Sequence, residues 1–468
     1  MSALRAPMLC LVLAGLAGCT GRPGLDAETL DLSTLGKGLP KGFLMGTATA
    51  AHQIEGGLDN DWTDWEAGSF PDGTPHIKHG DRSGLADDSW NRFDEDLALM
   101  QALGAKSYRF SVEWSRIEPE RDVWEPAAIA RYKDWAQKLR AAGIEPMVTL
   151  FHFTLPKWVA AQGGFENRKT MDDFAAFAER MAADLGKDVD LWCTINEPNA
   201  YVVQAYLDGS APPGKKDDTT TQTQVLANLL EAHGLAAARL RAADTWDADG
   251  DGHPTMISVA HHVRIFQPAS NGVLDTYIAG VTDDYFNEST PRALVTGHIL
   301  LDIPGTITID KRVDGLAGSV DYLGINYYSR YVVRADLGSA ALSQQYYMPG
   351  RPVTDLGWEI YPDGMYLTLM RFAAWGVPLY ITENGLADAK GEARVKFLEQ
   401  HVAAVERAVA DGADVRAYLH WSLLDNFEWA DGFEPRFGLF AVDYEHDRAR
   451  SPTPAVETFR AIADHVPR

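Results

Sequence analysis

Val189-Asp190-Leu191-Trp192-Cys193-Thr194-Ile195-Asn196-Glu197-Pro198 is a mostly apolar run that stops on an amide, a carboxylate and a proline. The run has the length and character of a buried strand, and Pro198 blocks its continuation into the sheet. Glu197 is therefore left at a strand end. The same arrangement returns where Leu379-Tyr380-Ile381-Thr382 runs into Glu383-Asn384-Gly385. Two glutamates at the ends of two buried strands are what a two-carboxylate hydrolase needs.

Further short apolar runs begin at Phe43, Lys106, Glu145, Met256, Asp321 and Val415, and with those at Leu191 and Pro378 they make eight. Between them apolar residues fall at helical spacing. Phe174, Phe177, Met181 and Leu185 form one stripe, and Leu398, Val402, Val405 and Val409 form another before Gly412. Eight strand-then-helix units predict an α/β fold, a (β/α)8 barrel in a single domain, with its active site at the C-terminal ends of the strands. Those ends offer Gln53, Arg109, His152, Asn196 with Glu197, Asn326 with Tyr328, Glu383 and Trp421. One such residue would be explained as a loop cap. Nearly every strand carrying one points to a binding site.

The 468 residues, 46% of them hydrophobic, can bury a large core. Asp and Glu (66) outnumber Lys and Arg (42), for a net charge of -24. So acidic a surface argues against nucleic acid or an anionic membrane as a binding partner and fits a neutral substrate. Arg5 and the apolar stretch Met8 to Ala17 have the form of an export leader too short to span a bilayer comfortably. It closes on Leu16-Ala17-Gly18-Cys19, which resembles a bacterial lipobox. Residues 1–19 are expected to be a signal peptide, with Cys19 lipidated and the protein held at the cell envelope, or else cleaved as an ordinary leader near the same point. Residues 20–41, rich in Gly, Pro and small polar side chains, are expected to be a tether to a catalytic domain spanning 42–468. Cys10 and Cys19 belong to the leader, so Cys193 has no partner for a disulfide and is expected to be buried as a small apolar residue.

The segment Gly46-Thr47-Ala48-Thr49-Ala50-Ala51-His52-Gln53-Ile54-Glu55-Gly56, followed in order by YRFS at Tyr108, FHFTLP with His152, TINEP, GINYY, ITENG and WSLLDNFEW, resembles glycoside hydrolase family 1, the β-glucosidase family. The resemblance covers nearly all of the chain from about Lys41. It implies a retaining exo-β-glycosidase acting on small oligosaccharides or aryl and alkyl β-glycosides, without a cofactor, because two carboxyls supply acid, base and nucleophile. Glu383 would be the nucleophile, kept ionised by Arg109 and hydrogen-bonded by Tyr328. Glu197 would be the acid/base, its pKa raised by the Glu383 anion. Retention requires the two carboxyls about 5–5.5 Å apart. Gln53, His152, Asn196, Asn326 and Glu428 would bind the sugar, Asn196 at its 2-hydroxyl. Trp421 would lie beneath the ring, Trp429 at its edge and Trp358 on the aglycone side. A Glu428 carboxylate would repel a 6-phosphate, so a plain glucoside, galactoside or fucoside is expected.

Three departures from the family pattern are visible. His52 stands where tyrosine is commoner, Phe153-Thr154 follows His152 in place of Trp-Asp, and Asn199 follows TINEP, leaving the aglycone side less aromatic. Asp247-Ala248-Asp249-Gly250-Asp251-Gly252 opens like an EF-hand loop but has Ser258 at the position of the bidentate glutamate. It is either a solvated acidic turn or a structural calcium site, on the face away from the chemistry. Two other readings of the whole chain are an endo-acting barrel glucanase and a catalytically silent sugar-binding lipoprotein. The second predicts loss of Glu197 or Glu383, and both are present.

Overall fold

The computed structural model describes residues 30–468; the leader, with Cys10 and Cys19, lies outside the described residues. Thirteen strands are described: β1 (Leu44–Ala48), β2 (Ser107–Ser111), β3 (Glu145–Phe151), β4 (Leu191–Asn196), β5 (Met256–Pro268), β6 (His298–Ile303), β7 (Ile307–Arg312), β8 (Leu323–Ala335), β9 (Ser343–Tyr346), β10 (Leu379–Asn384), β11 (Val415–Trp421), β12 (Phe440–Asp443) and β13 (Ala449–Pro452). Eight of them, β1 to β5, β8, β10 and β11, form a closed parallel barrel in the order β10-β11-β1-β2-β3-β4-β5-β8, with β8 pairing back to β10. These are the eight expected runs. The other five lie in connections: β6 and β7 make a hairpin, β12 and β13 a second one, and β9 adds antiparallel to β8.

Barrel strands are buried almost end to end, as strands covered on both faces must be. The helix Lys169–Leu185 buries Phe174, Phe177, Met181 and Leu185 against the barrel. In Glu392–Ala410, Leu398, Val402 and Val405 are buried and Val409 lies partly so at the frayed end before Gly412. Cys193 is a buried free thiol. Strands β5 and β8 are each 13 residues long and stay paired beyond the barrel, from Ile265↔Arg330 to Pro268↔Val333. This ribbon stands as a wall above the C-terminal rim. No helix among the described residues is long and apolar enough to cross a membrane.

The expected tether is corrected over its described part. Leu35 and Leu39 are buried in the main core, and Gly36 and Gly38 both donate their N–H to Glu406 Oε1 at 2.8 Å. Leu35 O meets His465 Nδ1 at 2.9 Å, so the segment straps the helices Glu392–Ala410 and Ala455–His465 together. Its composition looked like a linker because two leucines at the right spacing are enough to dock a short segment. Leu39→Ala is expected to lower the unfolding free energy by about 2–5 kcal/mol, as for other buried leucines. Chemical denaturation checks this, and a free tether would give no change.

Candidate active site

Arg109, on β2, is fully buried inside the barrel and its donors are spread over four neighbours, one of them Cys193 Sγ, 3.9 Å from Nη2. Nε donates to Thr149 Oγ1 at 2.9 Å, Nη1 to Glu383 Oε1 at 2.6 Å, and Nη2 to Asn196 Oδ1 at 2.7 Å. Tyr328 completes the hold on Glu383, its hydroxyl donating to Oε2 at 2.8 Å. The register between β10 and β8 slips between Ile381 and Glu383, the kind of irregularity that re-aims a side chain at a strand end. Gly385 follows because nothing larger fits: a Cβ there would sit 1.7 Å from the Trp421 carbonyl oxygen.

Glu197 faces Glu383 across the same cavity. Its backbone is left-handed (φ 42), a conformation costing a non-glycine residue about 1–2 kcal/mol. The turn is held by its N–H donating to Ala260 O at 2.7 Å, and Pro198 then starts the short helix Pro198–Val202. Asn326 Nδ2 donates to Glu197 Oε1 at 2.8 Å and also to Asn196 Oδ1 at 3.2 Å. A second donor was not anticipated. His262 Nδ1 lies 2.9 Å from the same Oε1, while Arg264 Nε donates to His262 Nε2 at 3.3 Å. Because Nε2 accepts, Nδ1 carries the ring proton and donates to the carboxyl.

The two carboxyls are buried together and titrate as a pair. Burial pushes Glu383 up to about 7; Arg109 opposes the rise and the Glu197 charge adds to it. Burial would raise Glu197 too, but His262, Asn326 and the charge of Arg264 outweigh it and leave it below its usual value. His262 gives Glu197 a donor that the sequence did not reveal. The pair shares one proton between its two titration steps, and those steps belong to both residues together.

The remaining expected residues gather around this centre. Asn196 Nδ2 donates to His152 Nε2 at 3.1 Å, which leaves His152 Nδ1–H buried with no protein acceptor. His152 is held neutral by burial and by Arg109. Gln53 uses its amide nitrogen on Asn426 Oδ1 and Phe427 O, and its buried Oε1 has no protein donor. An orphan donor and an orphan acceptor are what a sugar hydroxyl satisfies. Trp421 donates Nε1 to Glu428 Oε1 at 3.1 Å, and Trp429 stacks on His52 at 5.5 Å with planes 4° apart. His52 thus serves as a backing for Trp429, itself fixed by Glu66 and Asn60. Phe153 tilts against Trp429, while Thr154 donates to Glu113 away from the cavity. Trp358 packs edge-on to Tyr328 at the open side.

Two further residues bear on the cavity. Glu428 is pushed up to about 8 by burial and by the charges of Glu383, Asp431 and Asp425, against Trp421. Asn199 is not among the residues that line the cavity. It is buried, donating to His262 O and Phe286 O, and Tyr331 from β8 lines the cavity beside Trp358. A larger cleft at the opposite end of the barrel, lined by Phe43, Lys106, Glu145 and Val466 among others, has no such pair of carboxylates.

The sequence profile of Glycosyl hydrolase family 1 matches residues 35–465. The chain belongs to that family. It is 33% identical to a 1,4-β-D-glucan glucohydrolase of Thermotoga neapolitana, over 87% of this chain and 98% of that one. It is 31% identical to beta-glucosidase 6 of Oryza sativa subsp. japonica, over 98% of this chain and 96% of that one. Among solved structures it resembles a β-glycosidase from Pyrococcus horikoshii, with a TM-score of 0.81, 35% identity, and 92% and 95% of the two chains covered. The protein is an O-glycoside hydrolase of glycosyl hydrolase family 1.

In this family 1 chain the acidic loop before β5 lies at the N-terminal face. Asp247, Asp249 and Asp251 bring carboxylate oxygens within 4.8 Å of one another, all exposed, and Asp247 and Asp249 already accept loop amides. Ser258 is buried and donates to Tyr322 O, so it offers nothing to an ion there. Among the residues missed in the sequence, His262 and Arg264 had a signal: they sit two apart in AHHVRIF, on one face of the strand that contributed no expected site residue. His262→Phe removes a donor that favours the Glu197 carboxylate, so both limbs of the pH profile of kcat/KM are expected to move to higher pH, by about 1–2 units for a charge-assisted hydrogen bond. Arg264, Glu383 and Tyr328 remain around Glu197 in that variant. Unmoved limbs would mean that the contact carries no weight.

Proposed function

We propose that the protein is a retaining, exo-acting β-glycosidase, with Glu383 as nucleophile and Glu197 as general acid and then base. The observation that carries this reading is the division of labour at the two carboxyls. Both oxygens of Glu383 are gripped by cationic or phenolic donors, Arg109 and Tyr328, which orient it and stabilise its charge. Glu197 has both neighbouring donors on Oε1, so Oε2 is the oxygen that carries a proton to the glycosidic bond. Attack by Glu383 on the anomeric carbon forms a glycosyl ester as Glu197 protonates the departing oxygen. Glu197 then takes a proton from water as the water oxygen bonds to the anomeric carbon and the ester bond to Glu383 breaks, which releases the sugar and restores the Glu383 carboxylate. The active form is the pair with one proton, on Glu197, so kcat/KM falls on both sides of a pH optimum: at low pH as Glu383 gains a proton and at high pH as Glu197 loses its own.

A plain β-glucoside is the substrate class best supported, with galactosides and fucosides as further candidates. The names of the Thermotoga and rice relatives point to glucose. Exo action rests on the family resemblance of the motifs that carry Gln53 and Glu428. Exclusion of a 6-phosphate rests on the lack of a cation near Glu428: among the cavity-lining residues Arg264 is the one Lys or Arg, and it lies beyond Glu197. A substitution pair tests the roles. With azide and an activated glycoside, Glu383→Ala should yield the α-glycosyl azide and Glu197→Ala the β-azide, and swapped products would exchange the roles. The same assay run across glucoside, galactoside, fucoside and 6-phosphoglucoside names the glycone; comparable turnover of the phosphorylated sugar would overturn the substrate class.

We also propose export and lipidation at Cys19, on the strength of the Leu16-Ala17-Gly18-Cys19 sequence. Cys19→Ser should move the protein from the membrane fraction to the soluble one and abolish labelling with a fatty-acid probe. Unchanged fractionation would leave ordinary cleavage as the reading.

A further inference from the structure

Arg264 lies on the part of β5 that runs past the barrel, and its guanidinium lines the cavity near Gln204, Tyr331 and Trp358. Rings hold it in place: the faces of Phe286 and Tyr331 each lie 4.7 Å from its guanidinium carbon. Its Nε is committed to His262. Among the described residues no carboxylate comes within 4.0 Å of it, and no acceptor engages its two terminal nitrogens. Other guanidiniums of the core are spent on carboxylates or, as for Arg394, on backbone carbonyls. Arg109 meets Glu383, Arg330 meets Glu359, Arg371 meets Asp283 and Glu288, and Arg450 meets Asp96. The acid that feels Arg264 besides Glu197 is Asp208, which burial keeps above its usual pKa despite Arg264 and Lys216.

Position gives the free guanidinium a meaning. His262 bridges Arg264 and Glu197, and Glu197 is the group that protonates the departing oxygen in the reading above. What lies beyond it, toward Arg264, is therefore the leaving group. Two unengaged N–H groups of a flat guanidinium, held between rings, match the two oxygens of a carboxylate. The neighbouring rings of Tyr331 and Trp358 suit an aromatic leaving group. We propose that Arg264 is a specificity residue of the leaving-group subsite, selecting β-glycosides whose aglycone is an aromatic acid with a free carboxylate.

The proposal rests on the glycosidase reading, and the experiment separates the two. A 4-carboxyphenyl β-glycoside and its 4-carboxamide counterpart are compared in the full-length protein, with the 4-nitrophenyl glycoside as a control. The wild type should favour the carboxylate about tenfold in kcat/KM, the worth of one charge-assisted hydrogen bond, chiefly through KM. Added salt should shrink that preference. Arg264→Gln and Arg264→Met should bring the ratio to about one, and Arg264→Lys should keep part of it. Because each ratio is taken within one variant, any disturbance of His262 and Glu197 cancels. Equal rates for the pair in the wild type, or a preference that survives in Arg264→Gln, would overturn the proposal while the control is still cleaved. Failure to cleave the control with any glycone would overturn the glycosidase reading, and the proposal with it.

Discussion

A guanidinium sealed inside a barrel has to be answered by acceptors, and Arg109 dictates much of what surrounds it. Removing one partner of such a buried pair costs about 3–5 kcal/mol, because the other charge stays behind unpaired. Its donors reach β3 through Thr149, β4 through Asn196 and β10 through Glu383. One side chain thereby ties Glu383, Asn196 and the barrel wall into a single unit. Asn196 passes the constraint on, since using Oδ1 for Arg109 forces Nδ2 toward His152 and so sets which ring nitrogen of His152 is left free.

The opposite carboxyl is governed by a different element. Glu197 reaches its position through a left-handed residue anchored on Ala260 of β5, and the side chain is then steadied from β5 again by His262 and from β8 by Asn326. Each carboxyl is therefore held by donors of its own, with β8 serving both, through Tyr328 for Glu383 and Asn326 for Glu197. Distinct donor sets are what give two buried glutamates in one barrel contrasting electrostatic surroundings.

Much of this was visible before any coordinates. All eight barrel strands announced themselves as apolar runs because parallel strands are buried on both faces, and polar residues at their ends stood out against that background. Glu197, Glu383, Arg109, Tyr328, Asn196, Asn326 and His152 could be placed at one rim by counting strands. Hydrogen-bond partners could not be read in the same way. His262 belongs to a strand whose rim looked unremarkable, and its effect on Glu197 depends on a 2.9 Å contact between neighbouring strands. The strap of Leu35 and Leu39 was hidden for a related reason: it is stabilised by Glu406 and His465, residues hundreds of positions away. The hairpins of β6–β7 and β12–β13 are short and partly exposed, so they carry no long apolar run to mark them.

The contact between Gly385 and the Trp421 carbonyl leaves no room for even a methyl group. It brings the nucleophile's strand flush against the strand that carries the tryptophan floor, so neither can drift without carrying the other. The spacing between the Glu383 carboxyl and the Trp421 ring is thus set as one rigid gauge. Glu428, in the loop after β11, extends that gauge outward, because it accepts from Trp421 Nε1.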